Sequence, residues 1–124
     1  MMITNFEHLT AEMSDDEKKL VPILIKGFYT KRKNNPVKAG DIVNAINTRR
    51  SEYNLKNKFT EVRLRKICNF IRSEGILPLI ATSSGYYLSY DPAEIQAQID
   101  SLYERADAIK HSADGLKIFL VGSN

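Results

Sequence analysis

Residues 71–88 read "IRSEGILPLIATSSGYYL". The end of a helix-like segment meets Gly75, a residue type suited to the position just after a helix. Two β-rich runs follow, "ILPLIA" from Ile76 and "YYLSY" from Tyr86, joined by the turn "TSSG" over 82–85. Two such runs across a short Ser/Gly turn predict a hairpin. Pro78 has no N–H to give a neighbouring strand, so it must face an open edge.

Immediately upstream, "TEVRLRKICNF" begins at Thr60. Leu64, Ile67, Cys68 and Ile71 fall at i, i+3, i+4 and i+7, which predicts a helix over 60–74 with those four on its core face. Thr60 can cap it. The opposite face presents Val62, Arg65, Lys66, Asn69 and Ser73, with Arg63 and Arg72 on the flanks.

Further back, "AGDIVNAIN" (39–47) spaces Ile42, Val43 and Ile46 as a second, shorter helix, and "TRRSEYNLKNK" (48–58) is a long basic loop. Val37 and Lys38 suit a very short strand, reached through the polar turn "KRKNNP". Ser14 with Glu17 forms a capping pattern ahead of a first helix, whose apolar face holds Leu20, Val21, Leu24, Ile25 and Phe28. Pro22 inside it removes a backbone bond and is expected to kink it. Thr4 and Glu7 repeat the capping spacing and suggest a short leading helix. On the far side of the hairpin, Asp91-Pro92 with Glu94 is a strong helix start. The helix it opens should run to about residue 113, with Gly115 ending or weakening it. The expected order is helix, tiny strand, helix, helix, hairpin, long helix. The fold class is mainly α with a small β-hairpin wing, a winged helix-turn-helix plus a long C-terminal helix. The chain reads as a single domain, with a winged-helix core over 14–90 and a C-terminal helical segment over 91–121.

The quoted stretch resembles the end of the reading helix and the wing of biotin-repressor-type winged-helix domains. The shared pattern is Ile71 and Arg72, then Gly75, then Gly85, Tyr86 and Leu88, with Leu64 and Cys68 at matching upstream spacing. The resemblance covers about residues 37–90. It implies a DNA-binding head; this chain departs from the repressor enzymes in having no room for their ligase domain and a longer loop before the reading helix. The whole chain, including "SLYERADAI" after the wing, is also similar to small winged-helix proteins of phages and prophages.

Charge distribution points the same way. Between Lys26 and Arg72 there are 13 Lys or Arg against 3 acids, a net of +10, whereas the flanks on either side are acidic and the whole chain carries only +3. A focused positive block is the footprint of a polyanion-binding surface, or else a solvated run of charge. For double-stranded DNA, Arg65, Lys66 and Asn69 are the expected base readers, because Arg and Lys pair with guanine and Asn with adenine in the major groove. Arg63 and Arg72 suit phosphates, as do Arg49, Arg50, Lys56 and Lys58 in the preceding loop. The hairpin tip offers the hydroxyls of Ser83 and Ser84, and Gly85 allows close approach, but the tip has no cation. The competing expectation is a winged-helix adaptor that touches proteins and not DNA. Tyr86, Tyr87 and Tyr90 suit either a stacking platform or the packing of the wing onto the core.

A second signal lies in the last helix. Ile95, Ile99, Leu102, Ala106, Ile109, Ala113, Leu116 and Leu120 follow alternating steps of four and three, a heptad seam. It can pair two copies as a homodimer, placing two reading heads on one duplex, or pack on the chain's own first helix.

Catalytic constellations do not emerge. There is no phosphate-binding G-x-x-x-x-G-K loop and no H-E-x-x-H. His8 and His111 lack partners at ligand spacing, and Asp107 four residues before His111 suits a helix-surface pair. Cys68, on the core face, is expected to be a buried structural thiol. No metal, cofactor or small-molecule ligand is implied. The single cysteine allows no intrachain disulfide and points to a reducing, cytoplasmic setting. No apolar run approaches the ~20 residues of a membrane span, and the N-terminus does not read as a signal peptide. A small DNA-binding regulator, or a factor in phage or mobile-element DNA metabolism, is the expected role.

Overall fold

The structure is a computed structural model that describes residues 12–121. The capping pattern at Thr4 and Glu7 lies outside these residues. The chain is mainly helical, in the order α1 (Asp15–Phe28), α2 (Ala39–Thr48), α3 (Glu61–Ser73), β1 (Leu79–Thr82), β2 (Gly85–Leu88), α4 (Pro92–Leu116) and α5 (Ile118–Val121). It divides into two compact units between Ser89 and Tyr90.

In the first unit, α1 and α3 open on side-chain caps. Ser14 and Glu17 form the reciprocal capping box that opens α1, and Thr60 accepts from the Arg63 N–H to open α3. Helix α1 runs through Pro22 without a break. Helix α3 stops at Gly75, whose φ of +65° suits glycine. The Ile76 N–H reaches the Ile71 carbonyl and the Gly75 N–H reaches that of Arg72, so two otherwise orphaned acceptors are satisfied.

The hairpin is antiparallel and pairs Leu79 with Leu88 and Thr82 with Gly85 at its two ends. Pro78 sits just before β1, and its carbonyl accepts from the Ser89 N–H. The tiny strand is one bridge: Val37 exchanges both backbone hydrogen bonds with Tyr86. Leu20, Leu24 and Phe28 of α1, Ile42 and Ile46 of α2, and Leu64, Ile67, Cys68 and Ile71 of α3 form the core with Leu79, Tyr86 and Leu88 of the hairpin. Burial of side chains this size contributes about 1.5–3 kcal/mol each. The Phe28 and Tyr86 rings meet at 5.9 Å in a tilted arrangement.

The loop after α2 is less free than its polar sequence suggests. Leu55 and Phe59 are both buried in the core. The Asn47 side chain accepts from the Phe59 N–H at 2.8 Å and donates to the Phe59 carbonyl at 2.9 Å, which fixes the point from which α3 departs. Asn54 takes φ +54°, a left-handed conformation that asparagine tolerates better than most residues.

The second unit is α4 followed by the short α5. Asp91 caps α4 with Pro92 in its first turn. The helix passes through Gly115 and closes at Lys117, a few residues beyond the expected end. No helix among the described residues is long and apolar enough to cross a membrane.

Candidate functional site

The residues singled out on α3 do not share one environment. Arg65 is exposed and Asn69 half-buried, and Val62 stands beside them on the same stripe at 66% exposure. Lys66, expected among the base readers, turns away. Its ammonium lies 3.1 Å from a Glu17 carboxylate oxygen and donates to the Glu12 carbonyl at 3.0 Å. Lys66 lies on the outward face by helical spacing, but its long side chain reaches back to the acidic start of α1. The outward stripe of α3 is therefore Val62, Arg65, Asn69 and Ser73.

Arg72 is also engaged within the fold. Its Nε donates to the Leu79 carbonyl at 2.9 Å, which ties α3 to the first strand of the hairpin. Arg63 is half-buried. Cys68 is buried, and burial raises its thiol to about 11 despite the nearby Arg72 and a hydrogen bond with Tyr86. Burial likewise pushes the Tyr86 hydroxyl up to about 12. Tyr86 and Tyr87 are buried, whereas Tyr90 is exposed. Two of the three tyrosines thus serve packing and offer no open face for a base.

The loop cations Arg49, Arg50, Lys56 and Lys58 are all exposed. Arg49 hydrogen-bonds the Tyr53 side chain, which with Glu52 nearby strengthens its hold on the proton. Arg50 donates to the Lys56 carbonyl at 3.0 Å and so braces the loop that carries them. The loop is pinned from outside by α1. Asp16 accepts from the Lys56 N–H at 3.0 Å and the Asn57 N–H at 2.9 Å, and Lys19 donates to the Asn54 carbonyl at 2.9 Å.

At the hairpin tip, Ser83 and Ser84 are exposed, and the Ser84 N–H bonds the Thr82 hydroxyl at 3.1 Å. Gly85 has an internal reason to be glycine. Its φ is +128°, and a Cβ there would stand 2.5 Å from the Val37 carbonyl oxygen and 3.1 Å from the Lys38 nitrogen. The close approach it permits is that of the chain's own strand. The same approach brings the backbone of Lys38, whose side chain is exposed, next to Gly85. A shallow groove of about 450 Å³ between α1 and α2 is lined by Ile23, Phe28, Ile42 and Tyr53, with Lys31 and Arg49 at its edge.

On α4 the seam residues differ along the helix. Ile95 and Leu102 are half-buried, and Gln98 between them is buried. Ile99, Ala106, Ile109, Ala113 and Leu116 are exposed, as are Ile118, Phe119 and Leu120 of α5. No protein-family model, curated protein or solved structure matches this chain.

Proposed function

We propose that this chain is a winged helix-turn-helix protein that binds double-stranded DNA with sequence preference, inserting α3 into the major groove. The observation that carries the reading is the outward stripe of α3. It presents Arg65 and Asn69, side chains suited to guanine and adenine edges, on a helix anchored from behind by Leu64, Ile67, Cys68 and Ile71. The exposed loop cations Arg49, Arg50, Lys56 and Lys58, with Lys38 near the hairpin tip, supply the sequence-independent attraction to phosphates. In this reading Lys66 and Arg72 brace the reading helix through Glu17 and the Leu79 carbonyl. A second copy joined through the exposed distal part of α4 would double the number of reading helices per complex, which suits a palindromic site. A regulator of transcription or a factor in phage or mobile-element DNA metabolism has this set of parts.

The test is a titration of duplex DNA at several salt concentrations. Affinity should fall steeply with salt, and Lys58→Ala should lower the log–log slope by about 0.9 if that ammonium meets a phosphate. Absence of duplex binding at low salt overturns the proposal.

A further inference from the structure

Resting on the DNA-binding reading above, we infer that Val62 reads the 5-methyl group of a pyrimidine in the major groove. Val62 is the second residue of α3 and is 66% exposed, although the core positions of the same helix are closed to water. A lone exposed valine is common on protein surfaces. This one is distinguished by its stripe: Arg65 and Asn69 follow it at i+3 and i+7 on the outward face of a helix within a block of net charge +10. That charge complements a polyanion and selects DNA as the occupant of the face.

From Val62 to Asn69 the helix rises about 10 Å, which covers roughly three base-pair steps. The stripe can therefore address adjacent base pairs with three different chemistries. A guanidinium suits guanine and a carboxamide suits adenine. An isopropyl group makes no hydrogen bond, so its favourable partner in the groove is the apolar 5-methyl group. Two features favour Val62 for that contact. It lies in the first turn, the part of a reading helix that approaches base edges most closely. A β-branched side chain in a helix also holds nearly one χ1 rotamer, so its methyl groups are placed before the ligand arrives. The 5-methyl group is carried by thymine in ordinary DNA and by 5-methylcytosine in modified DNA.

The experiment uses the full chain and a duplex recovered by selection from a random pool. Each thymine is replaced singly by uracil, which removes only the methyl group. Wild type should lose about four-fold in affinity at one thymine per bound α3, the worth of one buried methyl group. Val62→Ala should bind the thymine and uracil duplexes equally, and circular dichroism should show its helix content unchanged. Putting cytosine and then 5-methylcytosine at the sensitive position identifies the source. Restoration up to the thymine level marks thymine as the natural ligand, and binding above it marks methylated DNA. If wild type binds a preferred sequence yet tolerates uracil everywhere, the inference fails and the DNA reading stands. It fails equally if Val62→Ala keeps the full sensitivity. If no duplex is bound at low salt, both fall together.

Discussion

The Lys66 ammonium and the Glu17 carboxylate meet at 3.1 Å, and this pair fastens α3 to the N-terminus of α1. The Glu17 side chain is 5% exposed and also accepts from the Ser14 N–H, so one carboxylate caps its own helix and orients the next. Lys66→Ala should lower stability by about 1–2 kcal/mol, a figure set by the partial exposure of the lysine and the Ser14 bond that Glu17 retains. The salt slope of DNA binding should change less than in Lys58→Ala. Urea denaturation and the salt titration measure the two effects. An unchanged urea midpoint with a slope change as large as that of Lys58→Ala would make Lys66 a direct DNA contact rather than a brace of α3.

The same helix start should make the fold's stability depend on acid pH. Backbone donation by Lys56 holds the Asp16 carboxyl below its ordinary 3.8, helped by the Asn57 N–H and the charges of Lys19 and Arg63 against the opposing effect of burial. Burial alone would raise Glu17 above 4.5, but the Ser14 N–H and Lys66 outweigh it and hold it lower. Carboxyls depressed in the folded state bind fewer protons than in the unfolded chain. Their stabilisation is present above the ordinary carboxyl values and is lost as pH falls through the folded values. The urea midpoint should therefore drop between about pH 5 and pH 3, and Asp16→Asn should flatten that fall while costing about 1–3 kcal/mol at neutral pH. A midpoint of equal steepness in Asp16→Asn would show that the loop is not held through this carboxylate.

Gly85→Ala tests the strand bridge. The φ of +128° disfavours any side chain, and the new Cβ would press on the Val37 backbone, which has no flexible end to give way. The expected loss is at least about 2 kcal/mol, the sum of backbone strain and a distorted Val37–Tyr86 bridge. Ser84→Ala, one residue away at the exposed tip, should stay within about 0.5 kcal/mol. Thermal melts of the two variants decide it.

The single thiol should be inert in the folded protein. Cys68 is 1% exposed and its thiol is raised to about 11, so very little thiolate exists at neutral pH, and the thiolate is the reactive form. Modification by a thiol-specific reagent should be slow in buffer and rapid in denaturant. Fast native-state modification would mean that the α3–hairpin contact opens readily.

The fold was legible because its signals are local. The spacing of Leu64, Ile67, Cys68 and Ile71, the caps at Ser14, Thr60 and Asp91, and the turn at 82–85 each act over a few residues, and each element lies where its signal put it. The site was legible only in part. Lys66 and Arg72 occupy the right faces by helical periodicity, yet their partners, Glu17 and the Leu79 carbonyl, come from other elements. Periodicity cannot carry that information. The capping pattern of Ser14 and Glu17 marks a helix start, but it does not disclose that the Asp16 carboxylate reaches the loop at 56–57 or that the Glu17 carboxylate reaches α3. Gly85 shows the same limit. The sequence marks a place of close approach without naming what approaches.

The exposed distal half of α4 gives the last prediction. Ile109 is 69% exposed and Leu116 66%, on a 25-residue helix that is about 37 Å long. Pairing two such helices would cover Ala106, Ile109, Ala113 and Leu116, and the small alanines would let the backbones come close. Ile95 and Leu102 are already half-buried in one chain and have less surface left to offer. Ile109 is therefore the sharper probe. Sedimentation at micromolar concentration should give twice the chain mass for wild type and the single-chain mass for Ile109→Glu, with helix content unchanged. The variant should also bind a palindromic duplex more weakly than wild type, because each complex then forms with one reading helix at a time. A wild-type monomer at those concentrations would remove the dimer from the proposal and leave DNA binding to a single α3.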